Sequence, residues 1–308
     1  MGSPYRERNP WVKGCLMRRC HALTGDKRTD YCQRHVNPMR QADPARPFAV
    51  ITGASRGIGA AYARALAARR YDLLLVARDR GRLAHLAQEL TARHGIIAEY
   101  EVVDLAQADA AHRLYAAARV RRAATDLLVN NAGFGLFGDF ANQPMSRIQT
   151  MLRLHVVTIV ETVRLFLPSM LERGAGGIIN VSSVAGLLPV PYLAEYAATK
   201  AFLISFTTAL AEEVRGRGVR IQVCCPGSTK TDFHESGGFR PRNPAPLQSP
   251  DIVVAVSLAR LQRDTPVVLT SWTGRGVAAA TRLLPSRLLT RLAAAVMKRP
   301  PTNGNCQP

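Results

Sequence analysis

The hydrophobic positions of the chain fall into two alternating kinds of segment. Short runs rich in apolar residues have the length of strands buried on both faces of a parallel sheet. They cover 48–51, 72–77, 97–103, 127–129, 177–181, 219–225 and 266–270. Between them lie longer stretches with helical periodicity, the longest at 146–173 and 192–217. This alternation predicts an α/β fold, a doubly wound parallel sheet with helices on both faces.

A glycine-rich segment joins the first predicted strand to the helix that follows it. It reads Thr52-Gly53-Ala54-Ser55-Arg56-Gly57-Ile58-Gly59. A tight turn at this junction needs residues that tolerate unusual backbone angles, and a phosphate on the new helix needs bare backbone with free N–H groups. The spacing differs from the general G-x-G-x-x-G fingerprint. A plain glycine turn is the alternative, and the strand-turn-helix context favours a nucleotide site.

The strongly positive charge of the chain affects which partners are expected. The 308 residues carry 41 basic and 22 acidic side chains, a formal charge of +19, and 47% of them are hydrophobic. The arginines are spread over every predicted helix rather than gathered on one face, so we expect no nucleic-acid partner. No apolar run reaches the ~18 residues that a spanning helix needs, and the polar first ten residues lead us to expect no signal peptide. We therefore expect a cytoplasmic protein.

Residues 1–45 are polar and basic, and we interpret them as an N-terminal arm separate from the rest of the chain. The arm contains Cys15, Cys20, Cys32 and His35. Three thiolates and one imidazole are enough to close a tetrahedral structural zinc site, so one hypothesis is a small zinc knuckle. The alternative is an unstructured tail with incidental cysteines, because such motifs carry false positives.

Further motifs follow the glycine turn in a regular order and spacing. They are Asn130-Asn131-Ala132-Gly133, Ser183, Tyr196-x3-Lys200 and Pro226-Gly227-x3-Thr231. With the turn, they make the stretch from 47 to 231 resemble the classical short-chain dehydrogenases/reductases. It is most similar to the subgroup that reads NAGFG and YxATKAF, whose members include enzymes acting on acyl and steroid-like ketones. The resemblance implies a three-layer Rossmann-type domain, placed at 46–245, that transfers hydride with a nicotinamide cofactor.

Tyr196 and Lys200 lie one helical turn apart on a predicted helix and therefore share a face. A free tyrosine titrates near ~10, and a nearby ammonium favours the phenolate, so we expect Lys200 to lower the pKa of Tyr196. The resemblance implies that Tyr196 is the general acid/base and that Lys200 also holds the nicotinamide ribose. It further implies that Ser183 donates a hydrogen bond to the reacting oxygen of the substrate.

The fourth catalytic position of the family departs from the usual residue in this chain. The family has an asparagine there, in the helix after the fourth strand, where it holds a water that links the lysine to solvent. The matching residue here is His155. A neutral imidazole offers one donor and one acceptor and could do the same. Two alternatives stay open: an impaired relay, or a histidine packed in the core.

The end of the second predicted strand bears on the choice of cofactor. An acidic residue there would bind the adenosine ribose and favour NAD(H). This chain has Arg78 instead, and Arg56 adds a second guanidinium, which suits the 2′-phosphate of NADP(H). Asp79, one residue later, keeps NAD(H) as the alternative. By resemblance, the cofactor contacts are Thr52, Gly53, Ser55, Arg56, Gly57, Ile58, Gly59, Arg78, Asp104, Leu105, Asn131, Ala132, Gly133, Tyr196, Lys200, Pro226, Gly227 and Thr231.

The C-terminal segment, 246–308, is predicted to complete the sheet and the substrate pocket. No acidic residue follows Asp264, and arginines alternate with apolar residues at the spacing of one amphipathic helix. Four uses of that helix stay open: contact with an anionic membrane, closure of the pocket, a dimer contact, or docking on the core. Its apolar residues are Leu283, Leu284, Leu288, Leu292 and Val296.

Together these features predict an NADP(H)-dependent oxidoreductase that interconverts a ketone and a secondary alcohol on a lipophilic substrate. The alternative is a catalytically weak nucleotide sensor or scaffold with the same fold, because a dinucleotide fold does not by itself imply catalysis. The family commonly pairs subunits through its two long helices, so we expect a homodimer or homotetramer. The basic C-terminal helix adds the expectation of peripheral membrane contact.

Overall fold

The computed structural model describes residues 46–231 and 247–297. The proposed zinc ligands Cys15, Cys20, Cys32 and His35 lie outside the described residues, so the zinc site stays a prediction. The predicted division of the chain at 45 and 245 likewise stays a prediction.

The described residues build a sheet of seven parallel strands, in the order β3-β2-β1-β4-β5-β6-β7. The strands are β1 Phe48–Thr52, β2 Asp72–Ala77, β3 Ala98–Val102, β4 Leu127–Asn130, β5 Gly176–Val181, β6 Val219–Cys225 and β7 Val267–Leu269. Every residue of β1, β2 and β4 is buried, as in a parallel sheet covered on both faces. Strand β3 is only partly buried because it forms an edge.

Helices cover both faces of this sheet, which confirms the predicted three-layer Rossmann-type fold. They are α1 Gly57–Ala67, α2 Arg80–His94, α3 Ala110–Arg121, α4 Met145–Leu152, α5 Thr158–Arg173, α6 Ala194–Glu213, α7 Pro250–Gln262, α8 Trp272–Leu283 and α9 Ser286–Met297. Tyr62 of α1 and Val254 of α7 belong to the core on one face. Leu114 of α3, Phe166 of α5 and Leu203 of α6 belong to the core on the other.

A wide π-helical turn, Arg153–Val157, joins α4 to α5 inside the long helix predicted at 146–173. The whole stretch Met145–Arg173 is long and apolar enough to cross a membrane by length and composition, although no spanning helix was expected from the sequence. Val163, Phe166 and Met170 of this stretch are buried in the core cluster beside the sheet. Packing inside the domain therefore accounts for part of its apolar composition, since 39% of the apolar window is buried.

The C-terminal prediction of one amphipathic helix was wrong. Two helices, α8 and α9, stand in its place, and the chain between them passes through Leu284 and Pro285. Proline has no backbone N–H, so it cannot continue α8, and its fixed φ suits the residue just before a new helix. The amides of Leu288 and Leu289 both bond back to the Pro285 carbonyl, which begins α9.

Strands β1 and β4 lie side by side at the point where the strand order reverses. In a doubly wound sheet, the crevice outside the carboxyl ends of the strands at this point is where ligands bind. The segments that follow β1 and β4 carry the glycine turn and Asn131, and the segment that follows β5 carries Ser183. The fold therefore brings the motifs together at one edge of the sheet.

Candidate active site

A cavity of about 1060 Å³ opens along this edge of the sheet. It runs from the glycine turn, past the loop after β4, to Tyr196 and then to the C-terminal helices. Most of the predicted site residues line it: Gly53, Ser55, Arg56, Gly57, Ile58, Arg78, Asp104, Leu105, Asn131, Ala132, Gly133, Ser183, Tyr196, Lys200, Pro226, Gly227 and Thr231. Thr52, Gly59 and His155 are buried behind its wall.

The glycine turn is shaped to bring a ligand against bare backbone. Gly53 and Gly57 adopt φ angles of +65° and +56°, which favour glycine. A Cβ on Gly59 would lie 2.2 Å from the Gly53 carbonyl oxygen, so a side chain cannot fit there. Helix α1 begins at Gly57, and its N-cap, Arg56, has no side-chain oxygen to accept from the first turn. The N-terminal amides of α1 are thus suited to bind a phosphate.

Side chains of Thr52 and Asn131 hold the ends of β1 and β4 together. Thr52 Oγ1 accepts from the amides of Asn131 at 2.9 Å and Ala132 at 3.1 Å. Asn131 Nδ2 donates in return to the carbonyls of Thr52 at 3.0 Å and Gly53 at 3.2 Å. Thr52 is therefore a support beneath the site rather than part of its surface.

Three arginines gather at the end of the cavity nearest to β2. Arg56 and Arg78 are exposed there, as the sequence predicted, and Arg82 of α2 joins them. The carboxylate of Asp79 contacts Arg82. This carboxylate accepts from the Arg82 amide at 3.0 Å, which caps α2, and lies 3.4 Å from Arg82 Nε. Sequence reasoning missed Arg82, although its position three residues after an N-cap aspartate was the available signal.

Ser183, Tyr196 and Lys200 meet at the other end of the glycine-lined region. Tyr196 and Lys200 are buried on α6, and the hydroxyl of Ser183 hydrogen-bonds that of Tyr196. Lys200 Nζ donates to the Val181 carbonyl at 2.9 Å and lies 5.7 Å from the centre of the Tyr196 ring. The neighbouring Ser182 donates instead to the Lys200 carbonyl at 2.7 Å, so it supports α6.

The protonation states of this pair differ from the sequence expectation. Burial raises the pKa of Tyr196 to about 12, and only the hydrogen bond from Ser183 opposes the rise. Burial also lowers the pKa of Lys200 to about 8, since desolvation disfavours the ammonium. The expectation that Lys200 lowers the pKa of Tyr196 was therefore wrong for the protein alone. At neutral pH, Tyr196 holds its proton and Lys200 is largely charged.

His155 sits in the π-helical turn, is fully buried, and has a protein partner on each ring nitrogen. Nε2 accepts from the Phe134 amide at 3.1 Å, and Nδ1 lies 3.1 Å from Thr199 Oγ1. An amide can only donate, so the Nε2 atom is unprotonated and Nδ1 carries the hydrogen. The hydroxyl of Thr199 donates in turn to the Tyr196 carbonyl at 2.8 Å. Burial and the nearby Lys200 charge lower the pKa of His155 well below its usual value.

The hydrogen bonds of His155 connect the loop after β4 with the turn of α6 that carries Tyr196. The loop Asn131–Gly135 carries Phe134, and Thr199 lies within the helical turn between Tyr196 and Lys200. Both ring nitrogens of His155 are used by these hydrogen bonds, so neither is available to hold a relay water, which was one of the three uses left open by the sequence. The geometry matches the packed-histidine alternative, with the added feature that the packing connects the β4 loop to the catalytic turn.

The far end of the cavity is mostly apolar. Its walls include Phe137, Leu188 and Leu193, and the C-terminal helices add Val277, Leu289, Leu292, Ala293 and Val296. The helices α8 and α9 therefore wall the pocket, which matches one of the four uses left open above. At the rim, the guanidinium of Arg147 lies 5.4 Å from the centre of the Phe134 ring. Sequence reasoning missed Arg147, and no motif marks it.

A search for metal sites found no cluster of three or more His, Cys, Asp or Glu residues within 46–231 and 247–297. Among the residues that the structure describes, Asp79 and Asp104 are the carboxylates that line the active-site cavity. The zinc hypothesis thus concerns only the arm at 1–45.

The fold and the cavity define a Rossmann-type dinucleotide-binding oxidoreductase, and comparison with known proteins identifies its family. The family model for short chain dehydrogenases matches residues 47–238, more than half of the chain. The chain belongs to the short-chain dehydrogenase/reductase family, whose enzymes act on carbonyl and hydroxyl groups.

Two curated relatives show how far the similarity extends. The chain is 39% identical over 180 residues to the ketoacyl reductase HetN of Nostoc sp., covering 58% of this chain and 62% of that protein. It is 31% identical over 227 residues to a very-long-chain 3-oxoacyl-CoA reductase of Anas platyrhynchos, covering 71% and 70% respectively. The match thus spans less than two thirds of the Nostoc protein.

Solved structures give the same fold. A short-chain dehydrogenase from Sphingobium yanoikuyae in complex with NADPH superposes with a TM-score of 0.71 at 28% identity, covering 84% of this chain and 99% of that one. The bulky-bulky ketone specific alcohol dehydrogenase from Comamonas testosteroni gives 0.66 at 25% identity, covering 84% and 97%. Of these two structures, the one from Sphingobium yanoikuyae holds NADPH.

Proposed function

We propose that the protein is an NADP(H)-dependent reductase that converts a ketone on a lipophilic substrate to a secondary alcohol, reversibly. The observation that carries this is one continuous cavity. The glycine turn forms one end, and Ser183, Tyr196 and Lys200 line it farther along, before the apolar end walled by α8 and α9. A dinucleotide that binds its phosphates on α1 would reach the tyrosine with its nicotinamide.

The residues present fit that cofactor. The turn packs closely at Gly53, Gly57 and Gly59, where an added Cβ would collide with Asn131 and Ala132, with Thr231, and with the Gly53 carbonyl respectively, and this turn sets the amides at the start of α1 where a pyrophosphate would bind. The guanidinium groups of Arg56 and Arg78 suit a 2′-phosphate. The carboxylate of Asp79 accepts from the Arg82 amide and lies 3.4 Å from Arg82 Nε, so part of its hydrogen-bonding capacity and charge is already used, which supports NADP(H) over NAD(H).

Tyr196 acts as the proton donor in the direction of reduction. When bound, NADPH supplies the hydride that the carbonyl carbon receives. The carbonyl oxygen takes its proton from the Tyr196 hydroxyl, and Ser183 donates a hydrogen bond to the same oxygen. A tyrosine with a pKa of about 12 holds this proton at neutral pH, which favours the reductive direction. Alcohol oxidation needs the phenolate, so its rate should increase with pH.

His155 acts through its neighbours and is a positioning residue. Its imidazole ties the Phe134 amide to Thr199, so the wall beside the nicotinamide and the turn that carries Tyr196 keep one relative position. His155, which stands where the family has asparagine, therefore has a role in an active enzyme. It also removes the main reason to favour the sensor or scaffold alternative.

The substrate is an acyl ketone whose chain lies against α8 and α9. Val277, Leu292 and Val296 extend the apolar wall of the cavity well beyond the tyrosine. At the rim, Arg147 suits a phosphate on the opposite part of the substrate, as in a 3-oxoacyl thioester of coenzyme A. The names of the curated relatives, a ketoacyl reductase and a 3-oxoacyl-CoA reductase, support the same class.

The long helices support a homodimer. Leu152 at the end of α4, Val157 in the π-helical turn and Phe202 on α6 are large hydrophobic side chains that stay exposed. Pairing of these helices between two copies would bury them. Sedimentation velocity at micromolar concentration should show a dimer or tetramer, and a monomer would contradict this part of the proposal.

The reaction is tested with NADPH that carries deuterium at its hydride-donating carbon. The full chain is incubated with long and short 3-oxoacyl thioesters and a steroid ketone, and the products are analysed by mass spectrometry. We expect a secondary alcohol with one deuterium on the carbinol carbon, formed faster from long acyl chains than from short ones. Binding of NADPH without turnover of any substrate would instead favour the sensor alternative.

A further inference from the structure

The helices α8 and α9, which wall the substrate cavity, also present an exposed surface. We call it the C-terminal face and define it by six apolar and four basic side chains. The apolar ones are Trp272, Leu283, Leu284, Leu288, Leu292 and Val296, with exposures of 73%, 81%, 41%, 45%, 53% and 71%. The basic ones are Arg275, Arg282, Arg287 and Arg291, all exposed.

Both helices order these residues in the same way. On α9, Leu288, Leu292 and Val296 recur every four residues and form one exposed stripe, and Arg287 and Arg291 form a stripe beside it. On α8, Trp272 and Leu283 lie along one line, and Arg275 and Arg282 flank it on the same side. Apolar stripes edged by arginine are typical of helices that lie in a membrane interface.

The charge of the C-terminal face favours an anionic surface as its occupant. No acidic residue occurs in the sequence after Asp264. None of the four arginines forms an ion pair with any residue in the described ranges 46–231 and 247–297. A second copy of the same face would set arginine against arginine, because a twofold interface pairs a patch with itself. The headgroups of an anionic lipid bilayer would pair with the arginines, and its apolar interior would cover the apolar stripe.

The face also adjoins the mouth of the substrate cavity. Leu292 and Val296 are exposed on the outside and at the same time line the cavity. A lipophilic molecule dissolved in a bilayer under this face would enter the cavity without crossing water. We propose that the C-terminal face docks the protein on anionic membranes and places the mouth of the cavity against the lipid.

Membrane docking is tested with the full chain and vesicles, without substrate or cofactor, so that its failure is independent of the proposed reaction. Co-sedimentation is measured with phosphatidylcholine vesicles, alone or with about a third of phosphatidylserine. We expect strong binding only to the anionic vesicles, weakening as salt is raised. The double variant Arg287→Gln/Arg291→Gln should lower partitioning about twentyfold, since each arginine near an anionic surface contributes about fivefold.

A matched control removes the same charge elsewhere. Arg217→Gln/Arg220→Gln changes two exposed arginines at the start of β6, at the opposite edge of the sheet from the cavity. We expect this variant to bind anionic vesicles within about twofold of the unaltered protein, because its charges lie beyond the Debye length from the docked surface. Equal losses in both pairs would show attraction by net charge alone and would overturn the proposal.

Trp272 reports directly on the occupant of the face. The chain has two tryptophans, so a Trp11→Phe variant leaves Trp272 as the single emitter. Its emission should be that of an exposed indole in buffer and should shift to the blue and be quenched by brominated lipids in anionic vesicles. Shielded emission without lipid would mean that another part of the chain or a second copy covers the face. Either that result or an unquenched Trp272 would overturn the proposal.

Discussion

Replacement of His155 perturbs two buried contacts at once, and the structure sets the size of the effect. His155→Ala leaves the Phe134 amide without its acceptor and removes the link to Thr199, both 3.1 Å contacts in a fully buried site. An unsatisfied buried amide costs about 1–3 kcal/mol, and the cavity left by a large side chain adds to this. We expect a loss of about 3–5 kcal/mol in the free energy of unfolding. His155→Asn, which keeps one polar contact, should lose about 1–2 kcal/mol.

The pH dependence of stability carries a second signature of His155. Its folded pKa lies well below the usual value, so the unfolded chain binds an extra proton once the pH drops below about 6.5. The stability that the protein has with His155 neutral is therefore fully present above about pH 6.5, and the free energy of unfolding decreases as the pH falls below that value. His155→Asn should therefore flatten the decline of unfolding free energy on acidification. His112→Asn changes an exposed histidine and is the control; it should change the free energy of unfolding by no more than about 0.5 kcal/mol.

Both effects are measured by urea unfolding at several pH values, together with steady-state kinetics. A displaced catalytic turn should lower kcat by about 10- to 100-fold in His155→Ala, with partial recovery in His155→Asn. Wild-type stability and an unchanged pH slope in His155→Ala would refute the assignment of the two hydrogen bonds. Normal kcat in a destabilised variant would show that His155 packs the core without positioning Tyr196.

Three further predictions concern the cofactor site and the arm. Arg78→Ala should raise the KM for NADPH about tenfold or more and leave that for NADH nearly unchanged, whereas Asp79→Asn should keep the NADPH preference of the unaltered protein. An unaltered protein that prefers NADH, and loses that preference in Asp79→Asn, would restore the NAD(H) alternative. Gly59→Ala should abolish cofactor binding in calorimetry, because its Cβ would lie 2.2 Å from the Gly53 carbonyl oxygen, and retained affinity would contradict the turn geometry. If Cys15, Cys20, Cys32 and His35 bind zinc, elemental analysis should find about one zinc per full chain and none in a chain that begins at Met39, with activity kept; a zinc-free full chain purified without chelator would instead favour the basic tail.

The fold was predictable because its signals are local. Each central strand is a continuous apolar run, and the glycines of the turn are required by the backbone itself at Gly53 and Gly57. The predicted site residues also gather as expected, since parallel strands present their carboxyl ends along one edge of the sheet. The position of each motif at the end of a predicted strand is therefore enough to predict where its residues lie in the folded domain.

The remaining features depend on tertiary environment, which no local pattern carries. The raised pKa of Tyr196 comes from burial, and the sequence shows only that a lysine lies one turn away. The inward position of His155 depends on a π-helical turn inside a continuous helical pattern. The break at Pro285 was visible as a proline but was outweighed by the leucine spacing around it. In each case the local sequence pattern was correct about residues that are close along the chain, but it carried no information about what packs against them in the folded protein.

The proton-donating role of Tyr196 is tested most directly by single-turnover oxidation of bound NADPH in Tyr196→Phe. This change removes one hydroxyl and keeps the buried ring, and Tyr192→Phe, four residues earlier and outside the cavity lining, is the matched control. We predict that Tyr196→Phe binds NADPH within about twofold of the wild type while turnover of the ketone falls about 10²- to 10⁴-fold. Turnover at the wild-type rate in Tyr196→Phe, with the control unaffected, would contradict the assignment.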